Sequence, residues 1–452
     1  MSRPKSNSKN RYAVVRVIAM IALICLIGRL FYIQIIKHSK YEQIAVSQQT
    51  QDIAIEAKRG TITDRDGNIL AISATAYKVV MAPKLIDSED LREKICDGLS
   101  SALSEDRDKI YEMTLKNVQS VEVVRRVEKD IADKVSDFIS EDKDYAAIIT
   151  VTEDPKRYYP NGNTLSTVLG LVGADNQGLE GLEYLYDDYL TGTAGKLVAT
   201  KTSIGTSMPF SYERQVDPKD GCTVELTMDL KMQAMLESEI NNARVEHNVQ
   251  NRIAGVIMDV NTGEILAMTS KPDFDPNENY VINDELTLEA LAAEFEVGSS
   301  EYYKAYNEKF AEYKKNKCLE AYEPGSTFKI FTASMALEEN LVSLEETFFC
   351  SGHLDIGPTR VNCHKRTGHG SEHLKEGLAN SCNPVFMTLG MRIGQEKFYD
   401  YLTVFGLRDK TGVGLPGEQT GYHHSLKTMT TLDLAESAFG QTFKITPMQL
   451  IS

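Results

Sequence analysis

The chain has 452 residues, of which 42% are hydrophobic, and its formal net charge is −16 at pH 7. This length exceeds one ordinary domain, and the apolar content excludes a disordered chain, so two or three folded units are expected. The acidic balance argues against nucleic acid as a partner, because binding to phosphates needs a basic surface.

The N-terminus carries the opposite charge and leads into an apolar segment. Its first residues contain no acid and these bases: Arg3, Lys5, Lys9, Arg11 and Arg16. Residues 13–36 follow, and as a helix they are long enough to cross the roughly 30 Å core of a bilayer. The sequence after Gly28 lacks the small residues of a signal-peptide cleavage site. We therefore predict a basic cytoplasmic tail over 1–12, an uncleaved single-pass anchor in the cell membrane over 13–36, and an extracytoplasmic remainder.

Beyond the anchor, short strand patterns alternate with charged sequence. Residues 53–71 predict two short strands around an Asp-Gly-Asn turn signal. Charged, helix-favouring sequence dominates residues 88–143, and residues 145–152 read as a strand. This alternation of strand patterns with charged, helix-favouring sequence predicts a first extracytoplasmic domain over residues 37–219.

A second domain is predicted over residues 220–452. Asp229 is a predicted N-cap for a helix that runs to about residue 248. Residues 253–270 give the clearest hairpin pattern, and residues 284–318 read as a charged, tyrosine-bearing helical insertion. Strands followed by a central apolar helix indicate an α+β or α/β domain within an α+β multidomain chain.

The cysteines and histidines carry two further hypotheses. Cys350 and Cys363 bracket a short loop outside the anchor, where a disulfide is chemically permitted. The sequence favours neither a disulfide between them nor two free thiols. Most histidines lie late in the chain: His353, His364, His369, His373, His423 and His424. With the two cysteines they raise the idea of zinc, but the spacing fits no structural finger and no His-Glu-x-x-His element exists. We therefore expect a polar loop and no metal.

The chemistry centres on Ser326 and Lys329, which are three residues apart at the start of a predicted apolar helix. That spacing puts both side chains on one helix face, within hydrogen-bond reach. A serine hydroxyl needs a base to become nucleophilic, and a lysine amine can be that base once burial lowers its pKa. The spacing alone is equally typical of a helix start with a solvated lysine. The same spacing recurs in charged sequence at Ser2, Ser6 and Ser140.

A second element, Ser381-Cys382-Asn383, precedes a proline and another apolar helix. A Ser-x-Asn loop can relay a proton through the hydroxyl and hold a substrate amide through the carboxamide. Taken alone, the same residues are also typical of a helix cap.

Together these motifs resemble the class B penicillin-binding proteins. Residues 322–329 (Tyr-Glu-Pro-Gly-Ser-Thr-Phe-Lys) resemble their nucleophile motif, and residues 381–383 resemble their second motif. Residues 439–441 and 445–450 are similar to the segment that precedes the third motif in the family. Residues 59–68 and 178–183 are similar to parts of its non-catalytic pedestal domain. The resemblance runs from the anchor to the last residue.

The resemblance implies a pedestal and dimerisation domain of mainly β and α+β structure, followed by an α/β transpeptidase domain. It implies a peptidoglycan D,D-transpeptidase that cross-links stem peptides through a serine acyl-enzyme and is inhibited covalently by β-lactams. Ser326 is then the nucleophile, Lys329 the base, Ser381 a proton relay and Asn383 the group that holds the donor peptide. The implied partners are a lipid-linked precursor, the membrane and a membrane glycan polymerase, with no cofactor.

One departure concerns the third motif, Lys-Thr-Gly, which in the family lies on a strand and is expected here downstream of residue 450. Residues 410–412 carry the same letters but precede a stretch that is a loop in the family, so we interpret them as a chance match. We therefore expect a C-terminally truncated transpeptidase domain. A membrane-anchored β-lactam receptor and a catalytically incomplete scaffold remain alternatives. A role in division, elongation or sporulation stays open.

Overall fold

The computed structural model describes residues 8–38, 50–200, 214–249, 251–278 and 280–452. Their contacts divide the chain into two compact units. The first unit takes described residues from 1–58, 75–155 and 193–220, and the second takes 59–74, 156–192 and described residues from 221–452. Because the chain passes between the units more than once, the domain limits 37–219 and 220–452 stay a prediction.

The helices and strands are short apart from the N-terminal helix. The helices are α1 (Ser8–Phe31), α2 (Glu89–Leu103), α3 (Arg107–Thr114), α4 (Lys129–Glu141), α5 (Lys143–Ile148), α6 (Ser166–Leu169), α7 (Gly181–Leu185), α8 (Asp187–Leu190), α9 (Leu230–Glu246), α10 (Glu285–Glu294), α11 (Ser300–Tyr313), α12 (Lys329–Glu338), α13 (Leu374–Ala379), α14 (Asn383–Ile393), α15 (Gln395–Val404), α16 (Thr431–Ser437) and α17 (Pro447–Ile451). The strands are β1 (Thr50–Ile55), β2 (Ile62–Thr63), β3 (Ile69–Ala74), β4 (Tyr77–Met81), β5 (Val121–Val127), β6 (Ile149–Glu153), β7 (Lys156–Tyr158), β8 (Gly195–Thr200), β9 (Arg214–Val216), β10 (Val224–Glu225), β11 (Ile253–Met258), β12 (Ile265–Lys271), β13 (Thr347–Cys350), β14 (His353–Ile356), β15 (Thr359–Asn362) and β16 (Gly370–His373).

The N-terminal helix is apolar, and no residue of its segment from Val15 to Ile36 is buried. Its segment Val15–Ile36, which ends in a π-helical turn, has 22 residues with a mean hydropathy of 2.2. By length and composition it can cross a bilayer, which confirms the predicted apolar helix. Its orientation stays a prediction, and residues 1–7 of the tail lie outside the described residues.

The first unit also contains two antiparallel sheets, with strand orders β1-β8-β9 and β5-β4-β6. Helices α2 and α4 share a buried core with the second sheet, formed around Val79, Leu99 and Val135. The helices predicted over residues 88–143 are confirmed, but β5 interrupts them. Four valines in β5 favour a strand, because β-branched side chains pack well on a pleated surface.

The strand predicted over residues 145–152 begins later, at Ile149. Asp142 accepts a hydrogen bond from Asp144 N at 3.1 Å and so caps the short helix α5. The aspartate cap satisfies a free helix N–H, which favours one helical turn before the strand.

In the second unit, β2 and β3 form the hairpin predicted around the Asp-Gly-Asn turn. Asp64 holds that turn, because its Oδ1 accepts from Asp66 N at 2.9 Å and Asn68 N at 2.8 Å. Its Oδ2 accepts from Leu230 N at 3.2 Å, which ties the turn to the start of α9.

The hairpin predicted over residues 253–270 is confirmed as β11 and β12, with Gly263 in the turn at φ +76°. Asp229 caps α9 as predicted, since its Oδ1 accepts from Lys231 N at 2.8 Å and Met232 N at 3.1 Å. Helices α10 and α11 form the predicted insertion.

Three helices build the core beneath the candidate site. Helix α14 lies at its centre and packs against α12 and α16. Gly390 on α14 lies so close to α16 that an added Cβ would be 2.5 Å from the Cβ of Ala438. Thr332 on α12 donates to Ala438 O at 2.8 Å. This close packing fixes the first residues of α12 and α14 relative to each other.

A buried ionic network joins the two stretches that resemble the pedestal domain. Arg59 is only 2% exposed, and its guanidinium donates through Nε to Glu183 Oε2 at 2.6 Å and through Nη1 to Asp187 Oδ1 at 2.6 Å. Arg157 Nε donates to the other oxygen of Glu183 at 2.7 Å, and Tyr159 Oη to the same oxygen at 3.3 Å. Glu183 is fully buried and, among the described residues, is the one carboxylate paired with Arg157, whereas Arg59 also pairs with Asp187.

We predict that Glu183→Gln lowers the free energy of unfolding by about 3–5 kcal/mol, because it removes the carboxylate paired with the buried Arg157 guanidinium and one of the two paired with Arg59. Urea unfolding followed by circular dichroism measures this loss. The control is Asp355→Asn, which breaks an exposed pair with Arg360 and should change the midpoint little. Equal losses in the two variants would contradict the assigned importance of the network.

Candidate active site

Ser326 lies on a sharp turn that the backbone of two glycines makes possible. Gly325 has φ +59°, and its N–H donates to Gly440 O at 2.9 Å. Gly440 has φ +89°, and an added Cβ would lie 1.9 Å from Gly325 O, so no side chain fits there. The predicted helix therefore begins as a 3-10 turn over Gly325–Phe328, and α-helical structure starts at Lys329.

Lys329 is buried among oxygens that carry no formal charge. Its side chain belongs to a residue only 1% exposed, and its Nζ donates to Ser381 O at 2.7 Å, Ser381 Oγ at 2.9 Å and Asn383 Oδ1 at 2.8 Å. The ring of Phe386 lies 5.5 Å away. No ion pair among the described residues includes Lys329. Burial without a carboxylate partner lowers the pKa of its amine from 10.5 to about 8.

Ser381 connects the lysine to the candidate nucleophile. Its backbone is left-handed, with φ +50°, and its hydroxyl donates to Ser326 Oγ at 2.8 Å. A continuous path thus runs from Ser326 Oγ through Ser381 Oγ to Lys329 Nζ. The sequence predicted that Ser326 and Lys329 lie within hydrogen-bond reach, and in the described residues the Ser381 hydroxyl connects the two. Once Lys329 is neutral, the same path can run in reverse and carry the Ser326 proton to the amine.

Asn383 forms one wall of the site as the first residue of α14. Its Oδ1 accepts from Lys329, and its Nδ2 donates to Asn362 O at 3.2 Å. Both ends of the carboxamide are therefore held, so its orientation is defined by the hydrogen bonds around it.

A pocket of about 280 Å³ opens over these groups. Its lining residues are Gly325, Ser326, His364, Ser381, Asn383, Phe439 and Gln441. A larger cavity of about 660 Å³ lies beside the helical insertion, and its lining contains neither a serine nor a cysteine. Three of the four predicted residues therefore line one pocket, and the fourth, Lys329, lies buried behind Ser381 and Asn383, while their catalytic roles stay a prediction. From the sequence, His364 was expected only as part of a polar loop, whereas the structure places it in the lining of the pocket.

Residues 410–412, which share the letters of the third motif, lie in a loop and do not line this pocket. Thr411 is held there by Glu418, whose Oε1 accepts from Thr411 N at 2.7 Å and from Thr411 Oγ1 at 2.6 Å. This position agrees with their interpretation as a chance match.

Two protein families match successive parts of the chain, in the order that the sequence predicted. Residues 54–226 match the penicillin-binding protein dimerisation domain, and residues 253–452 match the penicillin-binding protein transpeptidase domain. Stage V sporulation protein D of Bacillus subtilis is 34% identical over 445 residues, which cover 98% of this chain and 64% of that protein. Peptidoglycan D,D-transpeptidase FtsI of Escherichia coli is 27% identical over 451 residues, covering 97% of this chain and 69% of that protein.

A solved structure shares the fold. The Helicobacter pylori penicillin-binding protein determined in complex with MreC has a TM-score of 0.68 at 22% identity, covering 89% of this chain and 76% of that chain.

We predict that the rate at which Ser326 is acylated by a fluorescent penicillin rises with pH and levels off above about pH 8. The base must be unprotonated, and with a pKa of about 8 only about a tenth of Lys329 is neutral at pH 7. The rate should therefore rise roughly tenfold per unit at lower pH. Stopped-flow labelling measures it, and Lys329→Arg, which stays protonated, should be slow throughout. A flat profile between about pH 6 and pH 9 would refute the role of Lys329 as base.

Proposed function

The chain belongs to the class B penicillin-binding proteins, and on that premise we propose that it is a peptidoglycan D,D-transpeptidase with Ser326 as its acyl-accepting nucleophile. The observation that carries this proposal is the hydrogen-bond path from Ser326 Oγ through Ser381 Oγ to the buried amine of Lys329. A serine, a relay hydroxyl and a base with a lowered pKa are the groups that acyl transfer requires.

In the acylation step, neutral Lys329 takes the proton of Ser381, and Ser381 takes the proton of Ser326. The oxygen of Ser326 attacks the carbonyl carbon of the penultimate D-Ala of a stem peptide. The bond from that carbon to the nitrogen of the terminal D-Ala breaks, and the leaving amine receives the proton back along the same path. An ester on Ser326 and free D-Ala result.

In the transfer step, the amine of a neighbouring stem peptide attacks the ester carbon. The ester bond to Ser326 breaks, an amide forms, and the proton lost by the amine returns to Ser326 through Ser381. A base with a pKa near the working pH serves both directions, because it neither holds nor releases its proton too strongly. A β-lactam, which presents a strained amide to the same serine, acylates Ser326 in the same way.

Asn383 holds the donor peptide in this proposal. Its carboxamide lines the pocket next to Ser326 and is fixed by hydrogen bonds at both ends. A fixed amide can offer its remaining donor and acceptor capacity to a peptide backbone.

The site would work outside the cell membrane, with the basic N-terminus in the cytoplasm and Val15–Ile36 as the single-pass anchor. A lipid-linked precursor and a membrane glycan polymerase are the expected partners, and Arg29 or the pedestal offers a contact for the latter. The match of residues 54–226 to the dimerisation domain favours a synthase over a β-lactam receptor.

We predict that a fluorescent penicillin labels the protein in membranes and that Ser326→Ala abolishes the labelling. Ser334→Ala, an exposed serine on α12 eight residues away, should label as the unchanged protein does. The protein should also transfer the acyl group of a D-alanyl-D-alanine donor peptide to an added amine, as mass spectrometry of the products measures. Labelling without transfer would indicate a receptor, and neither activity would indicate a scaffold; each result contradicts the proposal.

A further inference from the structure

Gln441 is a polar group of the pocket that the acylation and transfer steps leave without a role. It belongs to residues 439–441, which resemble the segment before the third motif, and it lines the pocket. The serine and asparagine side chains that line the same pocket are already hydrogen-bonded. Within the described part of the chain, the Gln441 carboxamide makes no hydrogen bond, although its backbone N–H and C=O both do. Its N–H donors and its oxygen are therefore available to a ligand.

The turn that carries Gln441 has a left-handed residue on each side of it, and the end of a helix explains only the first. Helix α16 closes with hydrogen bonds from Gly440 N to Ser437 O at 2.9 Å and from Gln441 N to Glu436 O at 3.1 Å. A glycine at this place, here with φ +89°, is an ordinary helix end. Thr442 has φ +66°, which a β-branched residue adopts only at a cost in free energy. Strain of this kind, next to an unengaged polar side chain in a pocket, points to a binding role for that side chain.

Both ends of this turn are anchored close to the candidate nucleophile. Gly440 O accepts at 2.9 Å from the N–H of Gly325, the residue that directly precedes the nucleophile. After the turn, Phe443 is buried, and its ring packs edge-on against the ring of Phe328 with centroids 4.8 Å apart. The backbone of Gln441 is therefore fixed relative to the nucleophile, which a precise binding group requires.

Acyl transfer needs two peptide-binding positions that meet at Ser326, one for the acyl donor and one for the amine. In the proposed function, Asn383 holds the donor, which stays attached to Ser326 as the ester. The terminal D-Ala leaves, and the incoming amine attacks the same carbon, so the amine takes the position that the leaving group has vacated. This second position has no residue assigned to it.

We propose that Gln441 is the residue that recognises the acceptor, and that its carboxamide binds a peptide group of the stem peptide that carries the attacking amine. The inference rests on the proposed function, since it concerns the second substrate of the same reaction. A carboxamide suits the task, because it can donate to the carbonyl of a peptide group and accept from its N–H without bringing a charge. Each end of the Asn383 carboxamide already makes a hydrogen bond, and its remaining capacity is assigned to the donor.

Gln441 takes no proton in the transfer step. The amine nitrogen bonds to the ester carbon, the bond from that carbon to Ser326 Oγ breaks, and the proton lost by the amine reaches Ser326 through Ser381. The contribution of Gln441 is to hold the amine close to the ester carbon, so that its removal weakens acceptor use and leaves acylation unchanged.

The test compares two acceptor amines with the whole chain and a saturating D-alanyl-D-alanine donor peptide. One acceptor is Nα-acetyl-lysine N-methylamide, which carries peptide groups, and the other is pentylamine, which has the same amine on a similar alkyl chain without them. Mass spectrometry of the products gives kcat/KM for each acceptor. Gln441→Met keeps the length of the side chain and removes its hydrogen bonds, so we expect it to lower the preference for the peptide acceptor about 3- to 10-fold. Its acylation by a fluorescent penicillin should keep the normal rate, which also shows that the variant is folded.

The control is Gln119→Met, which replaces an exposed glutamine of the first unit and should keep both the preference and the acylation rate. An equal preference in Gln441→Met and the unchanged protein, or no preference in the unchanged protein, would overturn the inference and leave the proposed function intact. Slower acylation with an unchanged acceptor preference would assign Gln441 to the donor and would overturn it too. If the unchanged protein transfers to neither amine, the proposed function itself is contradicted, and this inference falls with it.

Discussion

The candidate site depends on one constraint, the burial of the Lys329 amine against uncharged oxygens. An ammonium in that position loses its hydration and gains only hydrogen bonds to a serine hydroxyl, a backbone carbonyl and a carboxamide. A carboxylate in the same place would hold the proton firmly and remove the base from use near neutral pH. The three acceptors also fix the positions of Ser381 and Asn383, so the same burial that makes the base orders the groups around it.

That burial is a product of the core. Helices α12 and α14 meet where Lys329 and Asn383 begin them, and the close contact of Gly390 with Ala438 lets α16 approach the pair. The aromatic side chains of Phe386 and Phe439 lie within 6 Å of the amine and exclude water. In the proposed mechanism, packing therefore acts on acyl transfer through the pKa of one side chain, and a small shift of these helices would expose the amine and raise that pKa.

Much of this could be predicted from the sequence, because the signals were local. The Asp229 cap, the hairpin over 253–270 and the Ser326-x-x-Lys329 spacing each need only neighbouring residues. The rest depended on long-range contacts. Strand β5 has a local signal in its four valines, but it lies in a charged stretch that favours helix, and its pairing with β4 decides the outcome. The relay through Ser381 requires a left-handed backbone at a non-glycine residue, which propensity disfavours.

The most direct test of the account is a double-mutant cycle on the relay, with Ser381→Ala and Lys329→Met made singly and together. The rate constant for acylation of Ser326 by a penicillin is measured for all four proteins. If Lys329 acts through Ser381, the two side chains form one unit, and the double variant should react about as slowly as the slower single variant. If the two rate losses multiply, Ser381 and Lys329 act independently, and the proton path at the centre of this account is wrong.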